Sequence, residues 1–565
     1  MAKSRELVYA ALGGAGEIGM NLYLYGIGAP AERKWIIVDC GVTFGDMSSA
    51  PGVDLVFPDI DFIAGERKNL LGIFITHAHE DHVGAIGRLW RRLKAPIYCT
   101  HFTAEIAKRK LEEAGLPEKH VNAVKPHDLV SLPPFDCSFF PMTHSIPEAM
   151  ALKIDTPVGT VFHSGDFKFD PTPSIGAPTD EEQLAGLGRK GVLALVCDST
   201  NVFEPGEAGS EARLRDGLRK VISEAKGAVA ATTFASNVAR LKTIAEVALE
   251  CDRSVVVAGR AMQRMLEAAR ETGAVSDFPP TVSEDQAREM PSAHILYLVT
   301  GSQGEGRAAM GRIATRSHPF ISLGEGDTVV YSSSTIPGNE KEVYRVYNML
   351  SELGVQVVDA DHADIHVSGH ANRDELQRLY AHLKPRISIP IHGEHRHLSE
   401  HARMAPIWGA GEAVVAPNGA VVSIARSRED VGPKIVDSIE TGRVYLDGET
   451  MVGALDGVIR GRLRMARNGL VALSLVVDET GELIADPEVR FMGAPEKGDN
   501  WPAPLDELIF EAVDEACEKL SRKQRLSDEA IEEVAVQTCR RTCARWWGKK
   551  PEVLCTVIRL DEEEE

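Results

Sequence analysis

Three imidazoles and the carboxylate of Asp81 fall within the single segment His77-Ala78-His79-Glu80-Asp81-His82, directly after the apolar run Leu71–Ile75. Packing does not account for such a cluster, and the bland alternative is a polar loop of satisfied surface histidines. Imidazole nitrogen and carboxylate oxygen are the ligand types that suit zinc and neighbouring transition metals. Four such groups exceed what one catalytic ion needs if it must also keep a water. The spacing therefore points to two ions sharing one loop, completed by ligands from elsewhere in the chain.

The chain has 565 residues, and a prior of about 150 residues per domain suggests three or four domains, fewer if large α/β units are present. Hydrophobic residues make up 44% and charged residues 26%, which fits a soluble globular protein rather than a membrane or disordered one. No apolar run has the length of a membrane span. The opening Met1-Ala2-Lys3-Ser4-Arg5-Glu6-Leu7 lacks the long apolar region of a signal peptide, so the expected location is cytoplasmic. Nine cysteines are scattered without a Cys-x-x-Cys pair, as expected of reduced thiols. The net charge of −21 argues against unselective polyanion binding. It does not exclude a nucleic-acid enzyme, because a local basic channel and bound cations can dominate the field at a site. Basic clusters at Arg88, Arg91, Arg92 and Lys94, at Lys108–Lys110, and at Arg540, Arg541 and Arg545 read as solvated helix faces, and Asp561–Glu565 as a disordered acidic tail.

The first third alternates short β-rich runs with loops and helices. Strands are expected over Leu7–Leu12, Asn21–Gly26, Trp35–Asp39, Gly72–Thr76, Ala95–Cys99, Val158–His163 and Val192–Cys197, and a helix over Val83–Leu93. Gly14-Ala15-Gly16-Glu17-Ile18-Gly19 fits a dinucleotide-binding fingerprint, with Asp39 twenty residues beyond. Those glycines must open a helix, yet Met20–Gly26 reads as a strand. A tight hairpin is expected instead, with Asp39 supporting the metal loop from behind. From about Gly209 helices such as Glu211–Ala225 and Asn237–Glu250 alternate with strands such as Ser254–Ala258, Ala293–Thr300 and Thr328–Ser332, as in a second α/β unit. After Ser423 comes a linker-like segment, then a small α+β domain with a helical tail.

A two-ion site needs more ligands than the first motif supplies. His144, Asp166 and His392 each sit beside a β-rich run, and each is a weak signal alone. Together they complete a scheme in which His77, His79 and His144 hold one ion, Asp81, His82 and His392 hold the other, and Asp166 bridges both. Water between two such ions becomes acidic near neutral pH. His163, His395, His397 and His401 are expected to be packing or surface groups.

These residues, in this order, resemble the metallo-β-lactamase superfamily. Three further segments narrow the resemblance: Cys197-Asp198-Ser199-Thr200-Asn201, His366-Val367-Ser368-Gly369-His370-Ala371, and His392 itself. They look like motifs A, B and C of the β-CASP nucleases, where a histidine at the last position is associated with RNA. Leu12–Gly19, Thr300–Glu305 and Ser332–Glu340 are similar to the bacterial ribonuclease J family over roughly residues 7 to 425. One departure is Ala239, where relatives often carry histidine.

The resemblance implies an α/β chain: a metallo-β-lactamase αββα sandwich in two parts (1–208 and 366–425), an inserted β-CASP α/β domain (209–365), a linker (426–460) and an α+β C-terminal domain (461–560). It implies a two-metal phosphodiester hydrolase in RNA decay and maturation, with 5′-to-3′ exonuclease action on single-stranded, 5′-monophosphorylated RNA and internal cleavage. The cofactors are two divalent ions per subunit, zinc with manganese as the alternative. Asp81, Asp198, His366 and His370 carry the catalytic roles, with either His366 or His370 as proton donor to the leaving oxygen. Ser236, His366, Ser368, Gly369 and His370 are candidates for an RNA phosphate pocket, although Ser236 and Ser368 could instead cap helices. A homodimer or homotetramer and RNA-degradosome partners are also implied, and no membrane. The competing readings are a small-molecule metallo-hydrolase such as a lactonase or thioesterase, an RNA-binding scaffold with a degenerate site, and a DNA nuclease.

Overall fold

In the computed structural model, residues 6–336 and 338–560 are described; the expected acidic tail Asp561–Glu565, the opening Met1–Arg5 and Pro337 lie outside them. One compact unit comprises the segments up to Thr43 and Phe57–Arg443, and a second comprises Phe44–Val56 and the chain from Val444 on.

The first unit is built on two sheets. In the eight-stranded sheet the strands run, edge to edge, Val431–Ser438, Ala420–Ala425, Leu7–Gly13, Leu22–Ile27, Lys34–Val38, Leu70–Phe74, Ile97–Cys99 and Val121–Ala123. The seven-stranded sheet runs Val130–Leu132, Phe135–Pro141, Met150–Thr156, Gly159–His163, Ala194–Asp198, Ile387–Ile391 and Glu412–Ala413. Side chains from both sheets, among them Tyr9, Tyr25, Phe74, Phe139, Leu152, Val196 and Ile389, form one buried cluster between them. The outer face of the second sheet is covered by helices through Leu376, Leu379, Tyr380 and Trp408. Ala194–Asp198 and Ile387–Ile391 are apolar and buried along their whole length because helices cover one face and the partner sheet the other. Pro390 is tolerated there because Glu412–Ala413 pairs only with Ile387 and Ser388.

The glycine segment behaves as expected of a turn rather than a helix start. Ala15–Gly16 forms a short bridge to Gly393–Glu394, and Leu22–Ile27 returns antiparallel to Leu7–Gly13. The helix expected over Val83–Leu93 is interrupted: Glu80–Val83 forms one turn and Ile86–Leu93 a separate helix.

Between Asp198 and the loop 365–370 the chain builds a five-stranded parallel sheet, ordered Ser254–Ala258, Ile295–Val299, Val229–Thr232, Thr328–Tyr331 and Gln356–Val358. Helices such as Val238–Glu250, Arg260–Glu271 and Glu340–Glu352 connect its strands, as parallel pairing requires.

The segment 426–460, expected as a linker, instead contains the strand Val431–Ser438 and the hairpin Arg443–Asp447/Thr450–Gly453. Gly432 and Pro433 gave it a linker-like texture, but on an edge strand a proline removes no needed ladder donor. In the second unit Leu470–Val477 pairs with Glu488–Met492 and Glu552–Arg559, and alternate residues are buried against Leu505–Glu518 and Asp528–Trp546. All nine cysteines are free. Among the described residues, no helix is long and apolar enough to cross a membrane.

Candidate metal centre

The site gathers where strands of both sheets end. His77–His82 follows Leu70–Phe74, Asp39 follows Lys34–Val38, Asp166 follows Gly159–His163, Asp198 closes Ala194–Asp198, and His392 follows Ile387–Ile391. Parallel neighbours end at the same edge, so their following loops converge there. Asp39 and His392 both adopt left-handed backbone, with φ of 63° and 51°. Such strain, about 1–3 kcal/mol per residue, persists only where the surroundings enforce it.

Two groups of possible ligand atoms coincide with the expected scheme: His77, His79, His144 and Asp166, and Asp81, His82, Asp166 and His392. A third, Asp166, Asp198, His370 and His392, brings the two motif residues Asp198 and His370 to the same place. Asp166 belongs to all three. Its Oδ2 lies 3.1 Å from His82, 3.7 Å from His77 and 3.8 Å from His144, and its Oδ1 lies 3.3 Å from His392.

The outer nitrogens of these rings are already engaged. His82 Nδ1 donates to Asp39 Oδ2 at 2.7 Å, and His144 Nδ1 donates to the Gly369 carbonyl at 2.6 Å. The hydroxyl of Thr76 donates to Asp39 and lies 3.0 Å from His77 Nδ1, and that of Thr200 donates to Asp198 and lies 3.0 Å from His392 Nδ1. Each contact places the ring proton on Nδ1 and turns the Nε2 lone pair inward. His77 Nε2 and His144 Nε2 each come within 3.1 Å of His79 Nδ1. Three imidazole nitrogens that close repel one another unless a cation sits among them, so the donor set fits a divalent metal.

Electrostatics lead to the same conclusion. Burial, with neighbouring histidines adding to it, holds His77 and His144 well below the ordinary histidine value, and burial lowers His79 to about 4. These rings are therefore neutral, the form that binds metal. Burial also pulls on His82 and His392, but carboxylates outweigh it. Asp166, Asp81 and Asp39 hold His82 well above the usual value, and Asp166, Asp198 and Asp81 push His392 up to about 10. Four buried or half-buried carboxylates thus demand positive charge at the centre.

Around it, His370 Nδ1 meets Asp198 Oδ2 at 2.8 Å. Ser368 Oγ accepts from Asn201 Nδ2 and from the His370 N–H. Neither serine caps a helix: Asn237 caps Val238–Glu250, and Asn372 caps Arg373–Leu383. Gly369 lies so near His144 that a Cβ there would come within 2.9 Å of the ring, which is why the motif has glycine. His163, His395, His397 and His401 fall outside the three metal-competent groups. His163 Nδ1 contacts the Tyr25 hydroxyl, His397 accepts from the Glu394 N–H, His401 lies between Ser199 and Tyr380, and His395 is exposed. Asn21 was not singled out from sequence, yet its amide reaches the Asp81 carbonyl and His82 Nε2, each at 3.0 Å. Its only local signal is a polar residue opening an apolar strand.

The two-sheet fold, its inserted parallel domain and this histidine–aspartate cluster define a hydrolase of the metallo-β-lactamase superfamily with a β-CASP insert. Residues 19–219 match the metallo-beta-lactamase superfamily, 226–350 the ribonuclease J beta-CASP domain, 356–407 the Zn-dependent metallo-hydrolase RNA specificity domain, and 457–560 the ribonuclease J C-terminal domain. Ribonuclease J of Sinorhizobium meliloti is 41% identical, covering 99% of this chain and 98% of that protein. Ribonuclease J of Corynebacterium glutamicum is 36% identical over 100% of this chain and 77% of its own length, and ribonuclease J 1 of Streptococcus pyogenes 34% identical over 87% of each. The chain belongs to the ribonuclease J family. A crystal structure of a protein of unknown function from Enterococcus faecalis shares the fold, with a TM-score of 0.50 and 17% identity over 74% of this chain and 99% of that one.

Proposed function

We propose that this chain is a metal-dependent ribonuclease that degrades single-stranded, 5′-monophosphorylated RNA from its 5′ end and also cuts internally. The carrying observation is the convergence of six candidate ligands on a seventh, Asp166, with the buried rings already oriented from behind. His77, His79 and His144 would hold one cation, Asp81, His82 and His392 a second, and Asp166 both. Zinc suits this nitrogen-rich set, and manganese is the alternative. Two cations there supply Lewis acidity toward a phosphate and lower the pKa of water.

The chain's own groups account for the rest. Asp81 is half-buried, its side chain 29% exposed, and can orient the attacking water. Asp198 and Asp166 outweigh burial and hold His370 above the ordinary histidine value, which favours its protonated form. With Nδ1 on Asp198, its Nε2–H is the proton for the leaving 3′ oxygen. The products then carry a 5′ phosphate and a 3′ hydroxyl. Ser368 accepts two hydrogen bonds and can offer its hydroxyl proton to a phosphate oxygen, with Gly369, Ser236 and His366 completing the pocket. A lactonase or thioesterase would need neither the insert nor the RNA specificity segment, and both are matched here. A homodimer or homotetramer is the assembly this reading carries, and light scattering decides it.

The test uses one 3′-labelled RNA bearing a 5′ monophosphate, triphosphate or hydroxyl, with Zn²⁺ or Mn²⁺ and with Asp81→Ala as control. Loss of monophosphorylated RNA without large intermediates, absent in the variant, is the expected result. No cleavage with either metal sinks the ribonuclease reading.

A further inference from the structure

Arg240 is among the largest fully buried side chains of the described residues. It stands in the first turn of Val238–Glu250, the helix that follows the first strand of the inserted sheet. A guanidinium removed from water is tolerated only if its N–H groups are paired. Here they are. Nε and Nη2 form a two-pronged pair with Glu211, both contacts at 2.8 Å. Nη1 donates to the Ser332 carbonyl and hydroxyl at 2.9 and 2.8 Å, and longer contacts reach the carbonyls of Ile365 and Val367. Glu211 is anchored in turn, its N–H donating to Asp170 at 2.9 Å, while the buried Lys168 donates to the Gly209 carbonyl at 3.0 Å. Arg240 therefore sits where the chain leaves the metal domain and where the loop 365–367 re-enters it.

One more contact gives this arrangement chemical content. Arg240 Nη1 lies 3.2 Å from His366 Nδ1. A guanidinium can only donate, so this contact is a hydrogen bond when that nitrogen holds a lone pair. The ring's single proton is then on Nε2. That Nε2 is buried and has no protein acceptor, an expensive situation for a polar atom unless a ligand supplies the partner. Burial first, then the Arg240 charge, lower His366 to about 3, in keeping with a neutral ring. His366 and His370 lie four residues apart in one motif and are set up oppositely. A carboxylate faces Nδ1 of His370, and a guanidinium faces Nδ1 of His366.

We propose that Arg240 is a positioning residue: it holds His366 as a neutral imidazole whose Nε2–H is reserved for a phosphate oxygen of the RNA, and it braces the 365–367 backbone against the insert. Only the identity of that acceptor rests on the ribonuclease reading. His366 is then a hydrogen-bond donor to bound RNA and not the source of the leaving-group proton.

Two measurements test this. The first is the ¹⁵N spectrum of histidine-labelled, metal-loaded protein at neutral pH, with His366 assigned by its loss in His366→Gln. A His366 ring with bare Nδ1 and protonated Nε2 is expected. A ring protonated at Nδ1, alone or together with Nε2, overturns the proposal, whatever the protein does to RNA. The second is the double substitution Arg240→Met with Glu211→Met, which removes the ion pair without stranding one charge. With full metal content, its KM for 5′-monophosphorylated RNA should rise by roughly tenfold or more, the scale of a lost charge-assisted contact. Its kcat should change less, and its preference for monophosphate over hydroxyl ends should shrink. Arg240→Lys should recover part of the loss. A folded, metal-replete double variant with wild-type kinetics and an unchanged His366 tautomer overturns the proposal. If the double variant does not fold, the wild-type spectrum still decides the tautomer.

Discussion

Nδ1 of His370 and Oδ2 of Asp198 lie 2.8 Å apart, although 172 residues of chain separate them and an entire inserted domain is threaded between. The contact fixes the ring and stabilises its charged form. Replacing His370 by alanine should lower kcat by about 10²–10⁴-fold, the range of a lost general acid. Asp198→Ala should act through the same step, so the double variant should be little worse than the poorer single one. Single-turnover cleavage with parallel metal analysis checks this. Multiplying defects would mean that the two residues act independently.

Asp166 reaches both ligand groups, whereas His144 and His392 each belong to only one side. Asp166→Ala should lose both cations, and His144→Ala or His392→Ala about one each, as read by elemental analysis of dialysed protein. Chelation of the wild type should abolish cleavage. It should also lower the melting temperature, because ligands that bind only the folded state stabilise it and the clustered carboxylates are left uncompensated. An unchanged melting curve after complete metal removal would contradict that coupling.

Gly41 supports the metal loop from below. A Cβ at this position would lie 1.7 Å from the Asp81 carbonyl oxygen, and Cys40 N–H donates to the His82 carbonyl at 2.7 Å. Backbone cannot yield as a flexible side chain can. Gly41→Ala should therefore displace Asp81 and His82 and cost the second cation before it costs the fold. Metal content together with far-ultraviolet circular dichroism separates the two losses.

The candidate ligands were legible because each belongs to a recognisable segment and the segments come in one order. The glycine fingerprint fails on one physical point: a strand, Leu22–Ile27, follows Gly19 where a helix is needed. The rest depended on tertiary contact. Nothing local marks Asn21 as a partner of Asp81, or Arg240 as a partner of His366 from 126 residues away. Strand Val431–Ser438 was hidden because Gly432 and Pro433 look like linker residues unless the strand is known to lie at an edge. Residue identity could not separate His366 from His370 either, since they differ in what faces Nδ1.

Ser368 offers a test of the phosphate pocket. Its oxygen is already committed to Asn201 and the His370 N–H, so removing the hydroxyl loosens a loop as well as deleting a donor. Ser368→Ala should reduce release of nucleotides from 5′-monophosphorylated RNA more than it reduces internal cleavage, with roughly a tenfold difference expected for one lost phosphate contact. Equal loss of both activities on matched substrates would remove Ser368 from the pocket.

His401 makes the fold sensitive to acid. It is fully buried between Ser199 and Tyr380, and burial lowers it to about 4 from an ordinary value of 6.5. Between those two values the unfolded chain binds a proton that the folded chain refuses. The stability contributed by the neutral ring is therefore fully present above about pH 6.5 and is lost progressively as pH falls toward 4. The slope is at most about 1.4 kcal/mol per pH unit for one group. His401→Gln keeps polar partners for Ser199 and Tyr380 but cannot titrate. Its urea midpoint should fall less than that of the wild type between pH 7 and pH 5. Some pH dependence should persist, since burial also lowers His163, to about 3. Parallel declines in the two proteins would show that His401 is not the group being titrated.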